Sequence, residues 1–130
     1  MPLVVIHLIR DAYTPDQIKA IGDAIYETMR VTFSTPLEDR YQIVTQHERY
    51  EMMCSDTNLG YTRTDKFVFL QIVQQGRTDA MKQGFYSAVF EALRNTVRLA
   101  PGDLVMSTTA NTRADWSFGA GEAQFLTGTL

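Results

Sequence analysis

Residues 14–33, TPDQIKAIGDAIYETMRVTF, carry the pattern that decides the fold. Thr14 reads as an N-cap, Pro15 suits the first helical position because an N–H there would have no partner, and Gln17 completes a capping box. Ile18, Ile21, Ile25, Met29 and Phe33 then recur at spacings of three and four, one apolar stripe along a helix of roughly 15–33. Ahead of it, residues 3–9 (LVVIHLI) are apolar and β-branched, which predicts a strand buried on both faces. Behind it, STPLED (34–39) breaks the helix and RYQIVTQ (40–46) supplies a second strand.

The same order returns further along. KFVFLQIV (66–73) is a strand, Thr78 and Asp79 start a helix, and Met81, Phe85, Val89, Leu93 and Val97 form its stripe. APGD (100–103) stops that helix and LVMSTT (104–109) is the next strand. Thr14 and Thr78 lie 64 residues apart, Pro36 and Pro101 65 apart, so the echo is structural and nearly equal in length. Right-handed crossovers then build a four-stranded sheet with both helices on one face. The expected fold is α+β: one domain over 1–130, made of two βαβ units at about 2–47 and 66–110 with a tail at 111–130. The other sheet face is left bare and apolar, which predicts oligomerisation. The middle segment carries the turn formers Asp56, Asn58 and Gly60, and the tail, DWSFGAGEAQFLTGTL (115–130), suggests a short hairpin.

A length of 130 residues with 45% hydrophobic content suffices for one sizeable core. The formal charge is −3 and no Lys/Arg block is long enough to track phosphates, which argues against a nucleic-acid partner. The longest apolar run falls far short of the ~20 residues that span a bilayer. Residues 1–30 lack the basic start, apolar core and cleavage site of a secretory leader. Cys54 is the sole cysteine, so no internal disulfide forms, and nothing in EMMCSD (51–56) would make it a thiolate. A reducing cytoplasm is the expected location.

Pro2 stands directly after Met1 and directly before the first strand. Removal of Met1 would leave a secondary amine that no other residue type provides. Its reference pKa is near 8, so burial and neighbouring charge decide whether it acts as base or acid, and it can also add to a carbonyl group. A proline at position 2 is unremarkable by itself. Its attachment to a strand without a flexible leader fixes the amine at the sheet's edge.

A proline after Met1 leading into a strand, in a doubled βαβ chain of this length, resembles the tautomerase superfamily. Within it, EDRYQIV with QH (38–47), DTNLGYTRT (56–64) and the tail motif ADWSFG.G.A.FLTG (114–128) resemble the malonate semialdehyde decarboxylase-like family, the tail being the most specific. The resemblance implies a tautomerase-like fold, a homotrimer and no metal or cofactor. It implies that Pro2 is the catalytic group, cationic or condensed with the substrate aldehyde, and gives the electrons of the breaking C–C bond a sink. Asp39 matches the family aspartate near the proline; taken alone it is a turn residue between helix and strand.

The family grips the substrate carboxylate with two arginines two residues apart. Here Arg77 matches the second, but Gln75 stands where the first belongs. Gln brings no charge, and a charge-assisted contact is worth roughly twice a neutral one. Arg77 also sits at a helix start, where the dipole disfavours a cation unless an anion is met. Trp116, Phe118 and Phe125 match the family's hydrophobic wall, which the resemblance makes substrate-binding together with Gln75; as bare aromatics they are core residues. Tyr41, beside Asp39, is a supporting group. His7 is read as a packed strand histidine on the face opposite Val4, Ile6 and Leu8, and His47 has no metal-site partner set.

The expected function is cofactor-independent decarboxylation of a small 3-oxo acid such as malonate semialdehyde, a small carboxylate-bearing carbonyl compound. One alternative on the same scaffold is a keto–enol tautomerase of phenylpyruvate type, or a hydratase, with Pro2 as base. The hydratase leans on both arginines. The other is a non-catalytic trimeric binding protein that keeps Met1.

Overall fold

A computed structural model describes residues 2–130. The main elements run β1 (Leu3–Ile9), α1 (Pro15–Thr32), β2 (Tyr41–His47), β3 (Val68–Gln75), α2 (Asp79–Val97) and β4 (Leu104–Asn111), followed by a short helix α3 (Gln124–Thr127). The sheet order is β2-β1-β3-β4, with β1 parallel to β2, β3 parallel to β4, and β1 antiparallel to β3. Two strand–helix–strand units therefore meet edge to edge in one mixed sheet.

Both helices begin where their caps predict. Thr14 accepts from the Gln17 N–H at 3.2 Å while the Gln17 side chain accepts from the Thr14 N–H at 2.9 Å, and Thr78 accepts from the Met81 N–H at 3.1 Å. Phe33 is the C-cap of α1 and Arg98, in the left-handed region, that of α2. Their stripes pack on one face of the sheet. Ile21, Ile25, Met29, Phe85, Val89 and Leu93 join Val4, Ile6, Leu8, Val68, Leu70 and Ile72 in a single buried cluster. Truncating such a large core side chain costs several kcal/mol, which is why the period-3.6 stripes decide the layer order.

The face of β1 away from the helices is half-buried rather than fully covered. On β2 it continues through Tyr41 and Ile43, 39% and 54% exposed. His7 does lie on that face. It is hydrogen-bonded to His47, with Nδ1 to Nε2 at 2.9 Å, and its Nε2 meets Gln71 Oε1 at 2.6 Å. The hairpin expected in the tail is present as one antiparallel bridge, Gly119 with Glu122, and the chain then turns into α3.

The middle segment is tied down at two places. Asp56 accepts from the N–H groups of Asn58 and Gly60, closing a turn in which Thr57, Asn58 and Gly60 have positive φ. At the far end, Thr64 donates both its N–H and its hydroxyl to buried Asp103 at 2.6 Å each, and Arg63 donates to the Gly102 carbonyl at 2.7 Å. A Cβ on Gly102 would lie 2.1 Å from the Thr62 carbonyl oxygen, a backbone atom that cannot step aside. Gly102→Ala is expected to destabilise by about 1–3 kcal/mol, seen as a thermal midpoint several degrees lower. Gly84→Ala, within α2 and with open space around the added methyl, is expected to raise stability by up to about 1 kcal/mol.

Candidate active site

The parallel register of β1 and β2 pairs Leu3 with Tyr41. Residues immediately before the two strands, Pro2 on one side and Asp39 and Arg40 on the other, are thereby set at the same end of the sheet. The chain reaches that end from α1 through a tight descent. Thr35 donates to the Met29 carbonyl at 3.3 Å, Ser34 and Glu38 take positive φ, and the Asp39 N–H donates to the Pro36 carbonyl at 3.4 Å. Pro2 and Asp39 are both buried, and with Met29, Thr35, Arg40 and Tyr41 they line one small hollow, partly open to solvent.

Burial pushes the Asp39 carboxyl above its ordinary pKa, because a carboxylate loses hydration there; the chain's amino-terminal charge pulls the other way without cancelling it. Were Met1 removed, the Pro2 amine would share this hollow with the carboxyl, an arrangement that can hold or pass a proton. Met1, whose removal the Pro2 reading requires, lies outside the described residues.

Arg77 stands outside this hollow. Its guanidinium donates to three main-chain carbonyls, Gln75 at 3.1 Å, Gly76 at 3.3 Å and Phe33 at 3.4 Å, and lies 5.5 Å above the Phe33 ring. Neither Arg77 nor Gln75 lines the Pro2 hollow. Arg77 is held at the end of α1, with its Nε buried and unbonded among the described residues.

The three tail aromatics do come together. Trp116 and Phe118 are stacked at 5.4 Å between centroids, and Phe118 meets Phe125 edge-on at 5.7 Å. Gln124 fixes the turn beneath them, its Oε1 accepting from the Phe118 N–H and its amide donating to the Gly119 carbonyl, both at 2.9 Å. Tyr41 joins this wall to the hollow, 6.1 Å from Trp116 and 5.7 Å from Phe118.

Arg40 also went unnoticed in the sequence. It lines the hollow while pairing with Asp23 at 2.8 Å, bonding Gln42 and lying 5.0 Å over the Tyr26 ring. Its one sequence signal is adjacency to Asp39.

A family model described as a tautomerase enzyme matches residues 39–119, more than half of the chain. The chain belongs to the tautomerase family. Two members from Bacillus subtilis (strain 168) are similar along their whole length. The probable tautomerase YrdN is 40% identical over 130 residues, all of both chains, and the probable tautomerase YusQ is 27% identical over 127 residues, 97% of this chain and 99% of its own. Among solved structures, a malonate semialdehyde decarboxylase, described with its decarboxylase and hydratase activities, superposes with a TM-score of 0.93. It is 39% identical, with 98% of each chain covered. The FG41 malonate semialdehyde decarboxylase inhibited by 3-bromopropiolate gives 0.92 at 35% identity, over 98% of this tautomerase and 97% of that chain. A fused 4-OT trimer, at 16% identity and a TM-score of 0.77 over 97% and 98%, shares the fold.

The Asp39 shift fixes a sign for stability. A carboxyl whose native pKa is raised binds its proton more tightly in the folded state, so ionising it subtracts from stability. The penalty is absent below the ordinary carboxylate range and complete above the raised native value. Asp39→Asn should therefore raise the thermal midpoint relative to the parent protein at pH 7, with a smaller or no gain at pH 3, as measured by parallel melts.

Proposed function

We propose that this tautomerase-family chain decarboxylates a small 3-oxo acid such as malonate semialdehyde without a cofactor, using the freed amine of Pro2. The observation that carries the reading is the shared hollow: a buried proline at the head of β1 beside a buried carboxyl. Ionised Asp39 favours the ammonium form of Pro2, since an opposite charge within a few ångströms stabilises it. That ammonium donates a hydrogen bond to the substrate aldehyde oxygen. The bond between the carboxylate and the α-carbon then breaks, its electron pair enters the forming enolate, and carbon dioxide leaves. Pro2 next delivers its proton to the α-carbon, giving acetaldehyde, and regains a proton from water.

Arg77 has the role of carboxylate partner on this reading, and must exchange main-chain carbonyls for the substrate to fill it. Gln75 adds a neutral donor. Trp116, Phe118 and Phe125 keep the carboxylate poorly hydrated, which favours a transition state with dispersed charge. The chain works as a homotrimer, whose neighbours cover the open sheet face around Ile43, and acts in the cytoplasm. Among the described residues no helix is long and apolar enough to cross a membrane.

A second reading, keto–enol tautomerisation of a pyruvate-type acid with neutral Pro2 as base, is favoured by the missing charge at Gln75. Two substrates separate the readings: malonate semialdehyde and phenylenolpyruvate, each with the parent protein, Pro2→Ala and Arg77→Ala. Pro2→Ala is expected to lose at least about 100-fold in kcat, the usual scale of a positioned acid or base. Arg77→Ala is expected to lose about tenfold or more in decarboxylation and less in tautomerisation. Equal rates for all three proteins would overturn both readings.

A further inference from the structure

We propose that Tyr41 is a substrate-binding residue whose hydroxyl donates a hydrogen bond to the carbonyl oxygen on which Pro2 acts, and so selects acids that carry a carbonyl. The assignment rests on the decarboxylase reading for its substrate class. Tyr41 alone among the described residues both lines the hollow of Pro2 and Asp39 and touches the aromatic wall, through Trp116 and Phe118. Its ring is fixed by those two contacts and by its register opposite Leu3. Its hydroxyl has no hydrogen-bond partner among the described residues.

Tyr26 apart, the other side-chain donors that line the hollow are already engaged. Arg40 is held by Asp23 and Gln42, the Thr35 hydroxyl is donated to the Met29 carbonyl, and the Gln42 amide to the Gly22 carbonyl. Tyr26 also lines the hollow, but Arg30 and Arg40 flank its ring and it makes no contact with the wall. With the freed Pro2 amine, a phenol donor at the rim of the hollow would give a carbonyl oxygen two donors, which a developing enolate oxyanion needs more than the ground-state aldehyde does.

The sequence has one tryptophan, so Trp116 fluorescence reports binding beside Tyr41 independently of turnover. Binding is measured in the Pro2→Ala protein, with and without Tyr41→Phe, using malonate semialdehyde and propionate, an acid of the same length without the carbonyl. Tyr41→Phe should weaken malonate semialdehyde binding about tenfold, the scale of one lost neutral hydrogen bond, and leave propionate binding unchanged. In the Pro2-containing enzyme it should lower kcat by tenfold or more with an unaltered thermal midpoint.

Unchanged binding of the aldehyde acid, or equal weakening for both acids, would overturn the assignment, the latter because it marks a packing role. Should binding depend on Tyr41 while the parent enzyme leaves malonate semialdehyde intact, the decarboxylase reading falls and the Tyr41 assignment stands. Absence of any fluorescence response to malonate semialdehyde would overturn the assignment directly.

Discussion

The parallel pairing of Leu3 with Tyr41 is the constraint on which the site depends. It fixes which residues leave the two strands side by side, and so brings the second residue of the chain against a loop nearly forty positions later. A slip of one residue would turn every β2 side chain to the other face, exchanging Tyr41 for a neighbour that now points toward the helices. The pairing is secured from both sides. Val4, Ile6 and Leu8 are locked into the core below β1, and Gln42 on β2 donates to the Gly22 carbonyl of α1 at 2.9 Å.

Around that anchor the chemistry is a contest between burial and charge. Burial raises Asp39 while a nearby positive charge lowers it, and the first effect is larger. On the proposed reading, a Pro2 amine freed of Met1 would feel the reverse pair of forces in the same hollow: burial lowers an amine's pKa and an ionised Asp39 raises it. The two groups would then titrate as a pair, as in sites that move a proton. The rings of Trp116, Phe118 and Phe125 form an apolar surface, and Tyr41 joins it to the hollow's edge.

The strands, both helices and their caps were legible because each follows from short-range chemistry. The Thr14 capping box and the stripes ending at Phe33 and Val97 need only positions three and four apart. Pro2, Asp39 and the tail aromatics were singled out through motif resemblance, and the fold places the first two in one hollow and brings the last three into ring contact. What stayed hidden depended on register. No periodicity tells that His7 meets His47 across 40 residues, or that Tyr41 bridges hollow and wall. The surroundings of Arg77 depended on the fold as well: the turn after β3 and the Phe33 carbonyl at the end of α1 offer it three oxygens at once.

The central claim is that Pro2 is a free amine electrically coupled to Asp39. Nitrogen-15 NMR of protein labelled at proline tests it most directly, because the sequence has only four prolines and an amine nitrogen is distinct from an amide. The account predicts one proline nitrogen that titrates, with a midpoint that falls in Asp39→Asn as the neighbouring negative charge is removed. Four proline nitrogens that are all amides and indifferent to pH, or a midpoint that Asp39→Asn leaves in place, would contradict it.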